Sequence, residues 1–345
     1  MHDLPPLDMG SRPVSVRMTK WRGTATVLAA GMLLACAFGS ALAQNYPSRS
    51  VRLIVPYAPG GPTDTVARIT SNAMSKVLGQ TFVVENIAGA GGTLGAERAA
   101  RAAPDGYTLL IHHLGLATAA TIYRKLPFDV RTAFTPIGIA TDAPLILVAR
   151  SDFTPGTLRE LIDYTKSHGN AITFGNAGLG SASNLCGLMF MAAIKQELTS
   201  VAYKGGGPFM NDLIGRHIDL GCEQATTATG PILAKQVKAY AVTTRQRLAS
   251  VPDLPTADEA GLPGFEVNVW HGLFGPQGLP GPIVRTLSDA LQKALQDPDT
   301  ARRLTDINTV PVARERATPE ALDKLFHSEI DRWAPLIRDA NQFVD

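Results

Sequence analysis

The sequence predicts an α/β fold with parallel sheets, on three observations. Short apolar runs with strand character alternate with helical segments along most of the chain. At four places a glycine- or serine-rich loop joins the end of a strand to the start of a helix. The total length, 345 residues, suffices for two domains of ordinary size, and 45% hydrophobic with 18% charged residues describes a soluble globular chain.

Residues 1–43 have the pattern of a secretory signal. Arg12, Arg17, Lys20 and Arg22 precede an uncharged run over 23–39, and Ala41-Leu42-Ala43 supplies a cleavage site. That apolar run is short for a membrane span, and no later stretch is long enough either. Leu33-Leu34-Ala35-Cys36 resembles a lipoprotein box, but Leu34 fits it poorly, so cleavage after Ala43 is expected rather than anchoring at Cys36. The remaining chain carries equal numbers of basic and acidic residues and leaves no footprint for nucleic acid. Export permits a disulfide between Cys186 and Cys222, yet both lie in apolar surroundings and are expected as buried free thiols.

Residues 51–56 form the first strand, broken by Pro59-Gly60-Gly61-Pro62. A helix follows, with Val66, Ile69 and Ala73 on one face and Gly79 as its stop. Pro62 suits the first helical position, where a missing N–H costs nothing. Gly60 and Gly61 leave the donors at the helix start open to another molecule, and donors and dipole together favour an anion. Asp64, in that first turn, would repel such an anion and is expected to fix the loop.

Phe82-Val83-Val84 is the next strand, Ala88-Gly89-Ala90-Gly91-Gly92 a loop, and 93–102 a helix. Pro104-Asp105-Gly106 is a turn before a strand over 107–111 that ends at His112-His113. Gly89, Gly91 and Gly95 suggest a dinucleotide fingerprint, but the spacing is one residue off and histidines stand where a ribose-binding acid belongs. No nicotinamide is therefore expected. Alternation along a strand sends one of the two histidines to core or solvent and the other to a cleft; neither has metal-ligand spacing.

Leu145-Ile146-Leu147-Val148 is a strand, and Thr157 with Glu160 forms a capping box for a helix ending at Gly169. Ile172-Thr173-Phe174 runs into a glycine and serine loop containing Asn176, Ser181 and Ser183, then a helix with Leu185, Leu188 and Met189 on one face. Val201-Ala202-Tyr203 leads through Lys204-Gly205-Gly206-Gly207 to a helix over 209–214. A strand over 218–222, a polar turn over 224–230, a helix from Pro231 and a strand over 238–242 follow. After a loop rich in proline and acid over 252–263 come a strand over 267–274, a connector, and closing helices. The last carries Leu322, Leu325, Phe326, Ile330, Trp333 and Ile337 as a core-facing stripe.

The junctions near Gly60, Gly91, Gly180 and Gly206 would gather at the carboxyl ends of the strands, where open α/β sheets bind ligands. Helix N-termini converging there hold a carboxylate without arginine. Catalytic signals are weak. Gly178-Leu179-Gly180-Ser181 matches only half of a G-x-S-x-G elbow, and no P-loop is present.

Several ordered motifs then carry a family resemblance over essentially the whole mature chain. They are Pro59-Gly60-Gly61-Pro62-Thr63-Asp64, Glu85-Asn86 with Gly89-Ala90-Gly91-Gly92, Ala103-Pro104-Asp105-Gly106-Tyr107-Thr108-Leu109, and Tyr203-Lys204-Gly205. Leu254-Pro255-Thr256 with Glu259-Ala260-Gly261, and Trp270 with Gly272-Leu273, complete the set. The chain resembles the Bug receptors, the periplasmic substrate-binding proteins of tripartite tricarboxylate transporters. The resemblance implies a type II periplasmic-binding-protein fold: two lobes, each a sheet flanked by helices, with the ligand cleft between them. Residues 44–145 plus 266–345 would form one lobe and 146–265 the other, the chain crossing near 143–148 and returning near 265–270.

It further implies a monomeric periplasmic receptor for a dicarboxylate, tricarboxylate or aromatic acid, delivering it to membrane permease subunits with no reaction, cofactor, metal or nucleic acid. By the family pattern Gly60, Gly61, Thr63 and Asp64 match the first clamp. Gly91, Gly92, His113, Asn176, Ser181, Ser183 and Thr226 are the candidates for the remaining contacts. Ala202 stands where the family usually has proline, Asn176 where serine is commoner, and His112 with His113 in a variable segment, so the ligand's identity stays open. Two alternatives remain at this point: a ligand sensor signalling to a membrane kinase, and a hydrolase acting through Ser181.

Overall fold

The computed structural model describes residues 46–341, Phe343 and Val344; the signal segment over 1–43 and Cys36 lie outside the described residues. The first strand, β1 (Val51–Val55), is the apolar run expected, and it pairs in parallel with β2 (Phe82–Asn86) and β3 (Thr108–His113). Between them lie α1 (Pro62–Leu78), which Gly79 ends in the left-handed conformation, and α2 (Thr93–Ala100). Leu53, Ile54 and Val55 are buried, as a strand covered on both faces requires. Beyond β3 comes a helix the sequence pattern did not reveal, α3 (Leu114–Ile122). Its nine residues are mostly apolar and carry no one-sided periodicity, because the helix is buried nearly all round.

The strand expected over 145–148 extends much further. β4 runs from Phe134 to Arg150, 17 residues in all. Up to Pro144 it pairs antiparallel with β9 (Asn268–Pro276), and around Thr141 and Asp142 with β10 (Val310–Pro311). From Leu145 onward its partners are β7 (Leu220–Gln224) and β8 (Val237–Val242). Register shifts near Pro136 and Ile139 let the strand accommodate a proline and bend. β9 also pairs antiparallel with β3. The sheet is therefore mixed rather than parallel, in the order β2-β1-β3-β9-β4-β7, then β5 (Thr173–Asn176) and β6 (Thr199–Ala202). β5 is parallel to both β6 and β7.

The far half carries α4 (Leu158–His168), α5 (Ala182–Ile194), α6 (Gly206–Ile214) and α7 (Ala225–Leu233). Thr157 caps α4 by accepting the Glu160 N–H at 3.2 Å. The threonine run expected as a turn over 224–230 is the body of α7. Thr229 donates its hydroxyl back to the Ala225 carbonyl at 2.8 Å, which satisfies this buried hydroxyl within the helix. The core of this half gathers Ile146, Val148, Phe209, Leu213 and Ile218.

One expectation is overturned here. Cys186 on α5 and Cys222 on β7 form a disulfide, with Cα atoms 6.1 Å apart. Apolar neighbours suggested free thiols, but α5 packs directly on β7, and two buried side chains facing one another meet the geometric demand of a bridge. The chain closes with α8 (Gly281–Gln296), α9 (Pro298–Thr305) and α10 (Pro319–Asp339). Leu322, Phe326, Ile330, Trp333 and Ile337 of α10 are buried against α3 and β4.

Candidate functional site

Strand ends and helix starts from both halves of the sheet surround one narrow cavity, lined by Tyr57, Pro62, Thr63 and His113 on one side. Ala177, Ser181, Ala182, Ser183, Gly206, Glu223 and Gln224 line the other, with Leu145 between. The cavity volume is about 20 Å³, room for one or two waters. The walls are thus drawn tightly together.

Two helix N-termini meet there. Gly61 precedes α1 and Gly205 precedes α6, and neither helix receives a side-chain cap. Their first-turn N–H groups lack intrahelical partners, and each end carries roughly half a positive charge. A Cβ on Gly61 would stand 3.4 Å from the Gly207 nitrogen, and one on Gly207 only 3.0 Å from the Pro59 carbonyl oxygen. Glycine at 207 is what permits this close approach, while a Cβ on Gly61 would just reach the facing backbone. Across the contact the Ala58 N–H donates to the Lys204 carbonyl at 2.9 Å. Two like-signed helix ends this close repel one another unless a negative charge lies near both.

Hydroxyls fill in around them. Ser181 caps α5 by accepting the Asn184 N–H at 3.2 Å, and its Oγ lies 3.1 Å from that of Ser183. Ser183 Oγ accepts the Ala177 N–H at 2.7 Å. Thr63 Oγ1 lies 3.4 Å from His271 Nε2, and His271 Nδ1 lies 3.1 Å from Thr141 Oγ1.

The histidines form a buried stack with Tyr57. The rings of Tyr57 and His113 are parallel at 4.9 Å, and His112 meets His113 edge-on at 5.2 Å. Burial, reinforced by neighbouring histidines, holds His113 well below its ordinary pKa, and burial takes His112 and His271 down to about 3. All three are neutral at physiological pH. His113 Nδ1 accepts the Gly115 N–H at 2.9 Å, so the neutral ring carries its proton on Nε2 and presents a donor. Of the two strand-end histidines, His113 lines the cavity and His112 packs behind it.

Among the residues singled out from sequence, Thr63, His113, Ser181 and Ser183 line the cavity, and Gly61 stands at its edge beside Gly206. Asp64 turns away from it. Its carboxylate accepts the Gly60 N–H at 3.0 Å, Asn86 Nδ2 at 2.9 Å and Arg68 Nε at 3.0 Å. Burial works to raise its pKa, but those three donors prevail and hold it below the usual carboxylate value. Asp64 thus fixes the loop that presents Gly60 and Gly61. Asn176 braces the facing loop in the same way, accepting the Gly178 N–H and donating to Ser200 Oγ.

Gly91 and Gly92 lie outside the cavity lining. A Cβ on Gly91 would fall 2.0 Å from the Leu179 carbonyl oxygen, so this glycine lets the two halves touch; Gly92 packs on His112 and Tyr57. Thr226 is bonded to Thr309 Oγ1 at 2.8 Å and does not line the cavity. Reasoning from motifs missed Tyr57, Leu145, Glu223 and Gln224. An acid beside an amide at the end of an apolar strand was the available signal for the last two. Among the described lining residues there is no lysine and no arginine. Donors are supplied by backbone, hydroxyl and imidazole, an arrangement suited to holding an anion of low charge without a counter-ion.

Comparison with known proteins identifies the family and the fold. A family model described as the tripartite tricarboxylate transporter family receptor matches residues 66–342. A UPF0065 protein of Agrobacterium vitis, from the TAR-I ttuE-ttuC' intergenic region, is 47% identical over 298 residues, 86% of each chain. The structure of the periplasmic binding protein BugD superposes with a TM-score of 0.84 at 44% identity, covering 86% of this chain and 99% of that one. MatC of Rhodopseudomonas palustris, solved with bound malate, superposes at 0.82 with 42% identity, covering 85% of this chain and 100% of that one. The fold is accordingly the α/β fold of the periplasmic binding proteins, a curled sheet flanked by helices. The chain belongs to the tripartite tricarboxylate transporter receptor family.

Proposed function

We propose that this protein is a periplasmic solute receptor that closes over a small organic carboxylate and delivers it to the membrane permease of a tripartite tricarboxylate transporter. The observation that carries this is the pair of uncapped helix N-termini, α1 and α6, brought together at one cavity with Thr63, Ser181, Ser183 and His113. A carboxylate between the two ends offsets their mutual repulsion and accepts from their donors. The malate held by MatC, a relative at 42% identity, supports the same ligand class.

The two halves of the sheet serve as lobes, 44–145 with 266–345 and 146–265, joined through β4 and by the return before β9. The cavity is too narrow for a dicarboxylate to enter, so ligand entry requires these lobes to part. Gly60 and Gly61 present the first clamp and Asp64 holds it in shape. No chemistry is assigned to Ser181, whose hydroxyl is engaged as a helix cap and with Ser183.

Thermal-shift measurements with succinate, malate, citrate and benzoate test the reading. Stabilisation by at least one is expected, together with loss of uptake of that acid when the gene is deleted. Silence for all four, with stabilisation by a cation or a neutral sugar, sinks the anion clamp. Turnover of a bound acid that disappears in Ser181→Ala makes the protein an enzyme instead.

A further inference from the structure

Glu223 is the one acid among the described lining residues of the cavity. Its side chain is fully enclosed. Oε1 accepts the Gln224 N–H at 2.8 Å, the Thr227 hydroxyl beside the carboxyl works to lower its pKa, and Oε2 is buried with no donor in hydrogen-bonding geometry. A Cβ on Gly206 would stand 2.6 Å from Oε2, so that oxygen sits at the first residue of α6, beside the place where the helix ends meet. A buried ionised oxygen with no donor is unfavourable, and it gains either by accepting from a ligand or by carrying a proton and donating. A carboxylate ligand decides between the two. Two negative charges enclosed in one small cavity cannot both persist, and the proton belongs on the oxygen that lacks a donor.

We propose that Glu223 takes up a proton from solvent when a carboxylate ligand binds, and that its Oε2–H then donates a hydrogen bond to that ligand. The inference rests on the receptor reading above and adds to it a specificity-determining residue and a proton bound together with the ligand. Burial in the cavity as it stands raises the Glu223 carboxyl to about 7, which makes uptake of a proton easy near neutrality. The titratable groups facing the same cavity are Tyr57 and His113, with His112 and His271 behind them. Burial raises the Tyr57 phenol well above its ordinary value and depresses all three imidazoles, so none of them changes charge near neutral pH. The remaining neighbours do not titrate: Ile146 opposite it on β4, Gly206 on α6, and Gln224 and Thr227 at the start of α7.

The sign follows directly. A ligand that raises a carboxyl's pKa binds more tightly where that carboxyl is protonated, so affinity falls as pH rises above about 7, by at most about tenfold per unit. Isothermal titration with the four acids named above, in buffers of different ionisation enthalpy, reads both affinity and protons exchanged. The wild type is expected to take up nearly one proton per ligand at about pH 8 and close to none at about pH 6. Glu223→Gln, neutral at every pH, is expected to bind with no proton uptake and a flat pH profile. Binding by the wild type without proton uptake, or with tighter affinity at higher pH, overturns the inference and leaves the receptor reading standing. A Glu223→Gln protein that keeps the wild-type pH profile also overturns it. Absence of binding by all four acids at both pH values overturns the receptor reading, and the inference falls with it. The wild-type proton count needs no variant, so a folding defect in Glu223→Gln cannot obscure the result.

Discussion

At the scale of single residues, two acids in one fold respond to pH in opposite directions. Asp64 is held below its ordinary pKa, so its contribution to stability is present above about pH 4 and is lost as pH falls through the folded-state value. Asp64→Ala orphans the Gly60 N–H and frees Arg68 and Asn86, and is expected to cost roughly 2 kcal/mol at neutral pH, measured by urea denaturation. Glu223 is raised from 4.5 to about 7 on folding, so it favours the folded state at low pH and that advantage disappears between those values. Ligand-free Glu223→Gln should therefore gain on the order of 1–3 kcal/mol over the wild type at about pH 8 and little at about pH 5. Gly61 has φ −82, open to any residue, yet a side chain there would press on α6. Gly61→Val is expected to weaken ligand binding by about tenfold or more in calorimetry while the unfolding midpoint stays close to wild type.

Among the elements, the helix starts were the most legible part. Proline at the first position of α1, glycines before it, and the Thr157 cap of α4 are local signals, readable because a helix terminus is specified by its own few residues. α3 and most of β4 were not, for a physical reason: segments buried on every side lose the alternation that distinguishes strand from helix. α7 was misread because threonine was counted as a turn residue, while in the fold its hydroxyls bond to the preceding turn. The disulfide depended on α5 lying against β7, a tertiary fact that no spacing in the chain reveals. Its closed loop, with a sequence separation of 36, predicts a loss of about 3–4 kcal/mol when Cys186 and Cys222 are both replaced by serine. Denaturation with and without reductant checks this: the wild type should show a reductant-dependent midpoint and the double variant none.

For the molecule as a whole, the two halves of the sheet meet closely around the cavity. The Thr118 hydroxyl lies 2.9 Å from the Gly180 carbonyl oxygen, Tyr123 reaches the Leu179 carbonyl at 3.4 Å, and Ala58 bonds to Lys204. These contacts join the β1–β3 half to the β5–β7 half around the cavity. Thr118→Val removes one of them, and about 1 kcal/mol less closure should weaken ligand binding roughly fivefold, with Thr118→Ser restoring it. Calorimetry gives the affinity, and small-angle scattering gives the shift toward an open shape. The α/β class could be expected from the order of strands, loops and helices, but the antiparallel pairings of β9 with β3 and β4 could not. Which loops met could not, since that depends on how far the halves close. Thr63, Ser181 and Ser183, singled out from their loops, line the cavity, whereas Gly91 and Thr226 belong to the seams around it.

β4 has a mechanical consequence. One continuous strand serves both halves, hydrogen-bonded to β9 before Pro144 and to β7 and β8 after Leu145. Under the receptor reading proposed above, parting of the two halves twists a ribbon that is braced on both sides of Leu145. β4 then acts as a torsion spring that limits the angle of opening.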